Sequence, residues 1–123
     1  MPYTNAGKNL MLDALRGMNP PLAVAYASLH TADPGESGAN EVVGGSPAYG
    51  RKQITFGAAA SGSMSASNQP VFDVPGGTTV THVGFWSAVS GGTFLGYADV
   101  TDESFAAQGT YTLTSATLDL NAA

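Results

Sequence analysis

The sequence has 123 residues, which suits one domain with its own core, and we expect a single domain over residues 1–123. Charged residues make up 11% of it, against about 25% in an ordinary soluble domain, and the net charge is −5. All four bases lie within the first 52 residues: Lys8, Arg16, Arg51 and Lys52. Because nucleic acids and anionic membranes bind clustered bases, we expect neither as a partner.

The sequence contains no cysteine, so we expect neither disulfide bonds nor thiolate chemistry. It lacks an apolar run of about 18 residues, the length that a membrane-spanning helix needs. Its first residues do not show the basic and then apolar pattern of a signal peptide. We therefore expect a protein that is made in the cytoplasm and has no export signal of its own.

Residues 4–16 have the pattern of one short helix. Thr4 is a favourable N-cap, and Gly17 can end the helix in a left-handed conformation. Apolar residues recur along one side at helical spacing: Leu10, Met11, Ala14, Leu15 and Met18. A helix this short is not stable alone, so we expect its apolar side to dock either on its own sheet or on a neighbouring subunit.

A long loop follows the first predicted strand, residues 22–31. It begins with Asp33-Pro34-Gly35, in which proline presets one turn position and glycine accepts a positive φ at another. Residues 33–50 contain five glycines and two prolines. Because so long a loop within a compact domain is usually functional or ordered by a partner, we predict a contact surface here.

Residues 70–100 are predicted to form the core, as three strands joined by two glycine-rich turns. The middle strand, residues 78–86, has two faces. One face carries Val80, His82, Gly84 and Trp86, and the other carries Thr79, Thr81, Val83 and Phe85. The side chains that we predict to lie in the core are Phe85, Trp86, Phe94 and Tyr97.

The remaining segments are predicted as strands, turns or loops. Residues 51–56 form a short strand, while the low-complexity residues 57–69 are either an edge strand or a loop. Residues 102–104 turn the chain, and residues 109–120 form a last strand with a bulge or bend near Ser115, where its apolar phase changes. The sequence therefore predicts a mainly β fold, an antiparallel two-sheet β-sandwich of jelly-roll or immunoglobulin-like order with one short N-terminal helix.

The side chains that could bind a metal ion or take part in catalysis do not form a pattern typical of a metal site or an active site. Two sets come close together in the sequence: His30, Asp33 and Glu36, and Asp99, Asp102 and Glu103. Neither set matches a metal-binding spacing, and both overlap turn signals. His82 is better explained as a hydrogen-bonded histidine of a sheet surface than as a general base, and no Gly-x-Ser-x-Gly motif is present. We predict no enzyme activity, catalytic residue, metal or cofactor.

Five segments together span nearly the whole chain: TNAGKNLMLDAL, ASLHTADPGESGANEV, GGSPAYGRKQITF, VPGGTTVTHVGFWSAVSGGTFLGYADVT and FAAQGTYTLTSATLDLN. In combination they resemble small structural proteins of tailed bacteriophages, especially phages of actinobacteria, of the tail-fibre or minor-tail type. The resemblance implies a non-enzymatic subunit on the exterior of the virion, made in the host cytoplasm. It also implies packing against other virion proteins and, as a homo-oligomer, against itself.

For such a role, the predicted protein-contact residues are Leu12, Leu15, Asp33, Pro34, Glu36 and Tyr49. Two alternatives remain open. The first is a capsid decoration protein, also called a minor capsid or cement protein, which stabilises the head lattice. The second is a lectin-like carbohydrate-binding module, in which Trp86 and Tyr97 would stack on the sugar rings of a host surface glycan.

Overall fold

The computed structural model describes residues 3–17 and 24–119. Within these ranges it contains one helix and eight strands, and every strand pairing is antiparallel. In chain order the elements are α1 (Asn5–Leu15), β1 (Tyr26–His30), β2 (Lys52–Gln53), β3 (Ser63–Ser65), β4 (Val71–Val74), β5 (Thr78–Trp86), β6 (Phe94–Phe105), β7 (Gly109–Thr112) and β8 (Thr117–Asp119). The predicted mainly β fold with one short N-terminal helix is confirmed.

The strands form two layers around one core. One layer is a four-stranded sheet in the order β2-β1-β5-β6, and the other consists of two ribbons, β3-β8 and β4-β7. One cluster of buried side chains connects the sheet with both ribbons; it includes Leu29 and Phe85 of the sheet, Phe72 and Tyr111 of one ribbon, and Leu118 of the other. Since each layer can bury its apolar face only against the other, this cluster holds the predicted two-sheet sandwich together.

Helix α1 begins where the sequence predicts, because Thr4 caps it. The Thr4 hydroxyl accepts a hydrogen bond from the Gly7 amide at 3.1 Å and donates one to the Phe94 carbonyl at 2.6 Å. The second bond ties the start of the helix to β6. At the other end the chain turns at Gly17, whose φ of +92° lies in the left-handed region that glycine favours. Met18, part of the predicted apolar side, lies outside the described residues.

Gly7 allows the helix to approach the sheet closely. It is buried, and a Cβ at this position would clash with the backbone carbonyl oxygen of Leu95 in β6. The same carbonyl accepts the Thr4 amide at 3.2 Å. Because the carbonyl belongs to the backbone of a strand, it cannot move away without loosening the docked helix.

We expect Gly7→Ala to destabilise the protein, although alanine favours a helix by about 1 kcal/mol more than glycine does. The clash with the Leu95 carbonyl should cost about 1–3 kcal/mol or more, as overpacking does in other tightly packed sites. Urea unfolding followed by circular dichroism measures the difference. The control is Asn9→Ala at an exposed position of the same helix, which should stabilise slightly. If both variants are stabilised equally, the helix does not dock closely at Gly7.

Two predictions about β5 and β6 are wrong. Residues 102–104 do not turn the chain, because β6 continues through them, with Glu103 and Ser104 paired to Val80 and Thr79 of β5, and the chain bends at residues 106–108. Val80 belongs to the core cluster with Val83 and Phe85 instead of the face that carries Trp86. The reason is an irregularity in the β5–β6 register just after Val80, which changes the phase of the strand.

The last predicted strand, residues 109–120, is two strands. β7 pairs with β4 and β8 pairs with β3, and the predicted irregularity near Ser115 lies between them. The predicted strands 22–31 and 51–56 are shorter, namely β1 and β2, and residues 22 and 23 lie outside the described part. Residues 57–69 contain β3, which follows a tight turn at Ser61 and Gly62 with positive φ at both positions.

Candidate functional site

The predicted contact residues of α1 point away from the core. Leu12 and Leu15 have exposed fractions of 61% and 84%. Another side of the helix docks on β6 through Gly7, and its Leu10 and Met11 line an apolar cleft. Of the two docking modes that the sequence allows, α1 thus uses its own sheet, and it leaves two leucines in contact with solvent.

The apolar cleft has a volume of about 330 Å³ and lies beside α1, the β3 hairpin and the sheet. Its apolar lining includes Leu10, Met11, Val24, Met64, Leu95 and Leu118. Tyr3 also lines it, and the Tyr3 hydroxyl donates a hydrogen bond to the Asp119 carbonyl at 2.9 Å. Burial raises the pKa of Tyr3, so this hydroxyl remains a neutral donor near pH 7. The lining suits apolar groups better than polar ones.

Residues 31–41, which include the first part of the predicted contact loop, form a closed unit. His30 and Glu41 form a bridge at its neck. Inside the loop two amides donate to the carbonyl of Pro34, at 2.9 and 3.1 Å, and Pro34 itself is fully buried. These contacts give the loop a defined conformation without any partner.

The loop packs on the face of the sheet that lies opposite the ribbons. A Cβ at Gly38 would clash with the indole of Trp86, so this close approach requires glycine. Glu36 is exposed, and its carboxylate accepts the Asn5 amide at 2.8 Å. The positive end of the helix dipole also stabilises a carboxylate in this position. The loop therefore contacts both the sheet and the start of α1.

Tyr49, the last predicted contact residue, is half-buried and hydrogen-bonds within the chain. Its hydroxyl accepts the Leu29 amide at 3.0 Å and donates to the Glu41 carboxylate at 2.7 Å. Burial raises the pKa of Tyr49, so the hydroxyl keeps its proton and remains a donor to Glu41. Arg51 binds the same carboxylate through two hydrogen bonds of 3.1 Å. Tyr49 thus supports an ion pair in addition to forming part of the surface.

Arg51 connects the contact loop with the turn between β5 and β6. Its Nη1 donates to the carbonyls of Ala88 and Gly91 at 3.0 and 2.9 Å. Its guanidinium also stacks over the indole of Trp86, with Cζ 3.6 Å from the ring centroid. The Arg51 side chain is 9% exposed. An arginine that is desolvated, stacked and bidentate on a carboxylate contributes more than an exposed pair does.

Three buried side chains form a chain of hydrogen bonds that ends at the loop. The indole N–H of Trp86 donates to Ser28 Oγ at 2.9 Å, and Ser28 Oγ donates to His30 Nε2 at 2.7 Å. His30 Nδ1 donates to the Ala39 carbonyl at 2.8 Å. Because a carbonyl can only accept, Nδ1 carries a hydrogen, and in the neutral ring Nε2 is then the acceptor for the Ser28 hydroxyl. Burial lowers the pKa of His30, which favours that neutral form.

A serine hydroxyl next to a histidine nitrogen can act as a nucleophile and its base in hydrolases. Here Ser28 and His30 are both fully buried. Gly84 provides the space for them, since a Cβ at position 84 would lie 2.5 Å from Ser28 Oγ and 2.7 Å from His30 Nε2. The pair is covered by the chain itself, so it positions the sheet and the loop and presents no nucleophile at the surface.

The four predicted core aromatics lie on two faces of the sheet. Phe85 belongs to the central cluster, whereas Trp86 and Phe94 pack together on the loop side with their ring centroids 4.8 Å apart. Tyr97 is half-buried, and its ring lies nearly parallel to that of Phe94. Trp86 is 7% exposed and its ring is covered by Arg51. Its indole therefore offers no open face on which a sugar ring could stack.

The acidic and histidine side chains do not converge. His30 is buried, whereas Asp33 and Glu36 are exposed, and the second acidic set extends along β6. Across residues 3–17 and 24–119, no group of three or more of these side chains is arranged to hold a metal ion. His82 hydrogen-bonds its neighbour Thr81 at 2.7 Å.

No helix within the described ranges is long and apolar enough to span a membrane.

The sequence prediction missed three residues that organise this site: Ser28, Gly84 and Arg51. Gly84 carried a usable signal, because an isolated glycine in a strand of β-branched and aromatic residues often marks a close approach. Arg51 carried no such signal, since its hydrogen-bond partners Glu41, Ala88 and Gly91 are 10, 37 and 40 positions away from it in the chain. Local patterns do not report such distant contacts.

These features define a small β-sandwich protein in which buried polar side chains hold the loops, and two leucines of its only described helix face solvent. Residues 2–121 match the family described as Podophage GP4 fiber I protein gp80. Because the match covers nearly the whole chain, this protein belongs to that family. Its role is that of a structural protein of a phage tail fibre, and its location is the virion. A comparison with curated proteins gave no match.

Proposed function

We propose that this protein is a non-enzymatic subunit of tail-fibre or minor-tail type on the exterior of the virion, and that it works by packing against other virion proteins and copies of itself. The observation that carries the proposal is the match of residues 2–121 to the fibre family. Side-chain geometry supports it, because every buried side-chain nitrogen and oxygen of the described residues has a partner within the chain. Buried groups that are paired in this way stabilise the subunit and are not free to bind a substrate.

The first proposed contact is the α1 surface, defined by Leu12 and Leu15. These residues are three positions apart and therefore adjacent on the helix. Full burial of one leucine is favourable by about 1.5–3 kcal/mol, so a partner that covers both would gain a useful part of its binding free energy here. The rest of α1 is already fixed on β6, so little ordering of the helix would oppose binding.

The second proposed contact is the loop surface, defined by Asp33 and Glu36. Both side chains are exposed, while the loop beneath them is held by the buried Pro34 and by the close approach of Gly38 to Trp86. A surface that is fixed before binding loses less conformational entropy when a partner arrives. The two carboxylates favour a partner with basic side chains at this point.

The test is antibody labelling of whole phage particles in which the chain is wild type or carries Leu12→Gln with Leu15→Gln. We expect gold label at the tail of wild-type particles and much less label on variant particles. Because glutamine is a good helix former and both positions are exposed, the purified variant should keep its unfolding free energy within about 0.5 kcal/mol. Asn9→Gln, at another exposed position of α1, is the matched control and should leave labelling unchanged.

The alternatives give different labelling patterns. Label scattered over the head would replace the fibre proposal with capsid decoration. Normal tail labelling of the leucine variant would retain the fibre role and rule out the α1 surface as a required contact. A lectin-like module predicts that sugar quenches Trp86 fluorescence, and the covered indole gives that alternative no support.

A further inference from the structure

The loop of residues 31–41 is attached to the sheet in two different ways. Its neck is joined by backbone contacts: the His30–Glu41 bridge and the Thr31 amide, which donates to the Asn40 carbonyl at 2.9 Å. Its far part is held by side chains, and the only one of these that can change charge while fully buried is His30. The ring of His30 reaches from β1 to the loop backbone and is covered by the loop, so a charge on the ring would be buried for as long as the loop stays closed.

A second proton on the ring would disrupt its hydrogen bond with Ser28, whereas the Nδ1 bond to the Ala39 carbonyl would remain. Nε2 would become a donor facing Ser28 Oγ, which already accepts the indole N–H of Trp86. Ser28 could accept both, but its own hydrogen would then lose the nitrogen that accepts it now. A buried hydroxyl without an acceptor is unfavourable, and so is a buried charge that replaces a neutral ring.

The charged groups near the ring do not compensate for this. Several groups face His30 from the elements packed on it. They are Ser28 of β1, Ala39 and Glu41 of the loop, Arg51 just before β2, His82 and Gly84 of β5, and Phe94 of β6. Burial is the largest effect and disfavours a protonated ring; Arg51 and a charged His82 repel it as well, while the Ala39 carbonyl and Glu41 favour it. Glu41 is already bound by Arg51 and by the Tyr49 hydroxyl.

We propose that His30 is an acid-sensitive latch, whose protonation detaches residues 31–41 from the sheet and thereby alters the loop surface that carries Asp33 and Glu36. The latch goes beyond the proposed packing role and does not depend on it, because it is a property of the isolated chain. A partner that binds Asp33 and Glu36 would be affected, because both residues lie on the loop that opens. Opening also removes the Glu36 contact with the Asn5 amide at the start of α1.

The direction of the pH effect follows from the pKa of His30. Burial lowers this pKa from its ordinary value of 6.5 in the closed loop, and opening restores it. The closed form is therefore fully favoured above pH 6.5 and loses stability as the pH falls from 6.5 towards the lowered value. Within that interval, opening takes up one proton, so the opening equilibrium rises up to about tenfold for each pH unit.

Hydrogen exchange on the full chain between pH 7.5 and 5 tests the latch. Protection factors, which correct for the pH dependence of intrinsic exchange, are compared for the Gly38 and Ala39 amides and for amides of the β4-β7 ribbon. We expect the loop amides to lose protection below pH 6.5 by up to about tenfold per pH unit, while the ribbon amides keep theirs. Trp86 fluorescence should change over the same interval, since its indole is part of the hydrogen-bond chain.

Two variants separate the histidines. His30→Gln should remove the pH dependence of the loop amides, whereas His82→Gln should retain it. If His30→Gln does not fold, NMR titration of the wild-type imidazoles replaces it, and the loop opening should then follow the His30 signal. The latch is overturned if loop protection does not depend on pH, if loop and ribbon lose protection together, or if opening follows the His82 signal.

Discussion

Trp86→Ala is expected to lower the free energy of unfolding by about 3–5 kcal/mol, the range for removing a large aromatic side chain from a packed site. The indole is 7% exposed and contacts Phe94, Gly38 and the guanidinium of Arg51. Its removal leaves a cavity between the sheet and the loop, and it takes away the N–H that Ser28 accepts. Urea unfolding followed by circular dichroism measures the loss without relying on tryptophan fluorescence.

Trp86→Phe is the matched control for this prediction. Phenylalanine keeps an aromatic ring in the site but cannot donate to Ser28, so we expect a smaller loss of about 1–2 kcal/mol. A Trp86→Ala protein with unchanged stability would mean that the indole is exposed in solution. That outcome would return Trp86 to the set of candidate sugar-stacking residues.

Arg51→Met is expected to lower the free energy of unfolding by about 3 kcal/mol. The substitution keeps an apolar side chain next to Trp86 but removes two hydrogen bonds to Glu41 and two to backbone carbonyls of the β5–β6 turn. Loss of one partner from a buried ion pair typically costs 3–5 kcal/mol. The lower end applies here because the Glu41 side chain remains 21% exposed. Thermal and urea unfolding at pH 7 measure the difference.

The chain contains its own control for the Arg51 prediction. Arg16 pairs with Asp13 at 3.0 Å on the surface of α1, where the two side chains are 69% and 44% exposed. Arg16→Met should change stability by at most about 1 kcal/mol, since solvent screens an exposed pair. Adding Glu41→Gln to Arg51→Met should recover part of the loss, because it removes the unpaired carboxylate. Equal losses for the two arginine variants would contradict the importance of burial at Arg51.

Local signals in the sequence were sufficient for the class of fold and for several element ends. Thr4 and Gly17 mark the two ends of the helix, because capping depends on groups within one turn of the capping residue. The change of apolar phase near Ser115 indicated the break between β7 and β8, since alternation is a property of consecutive residues. The mainly β pattern was likewise available from the residues alone, and the relation to phage fibre proteins came from the resemblance of the five segments to that family.

Contacts between distant parts of the chain settled the arrangement of the candidate site. Asp102 and Glu103 look like turn residues in isolation, yet both lie in β6, where Glu103 pairs with Val80 of β5. Leu15 resembles a docking residue, yet Gly7 on another side of the helix makes the close contact and Leu15 stays exposed. Arg51 finds Glu41, Trp86 and the β5–β6 turn only after the sheet has formed. Periodicity and capping report interactions over a few residues, whereas these contacts depend on tertiary packing that joins segments far apart in the chain.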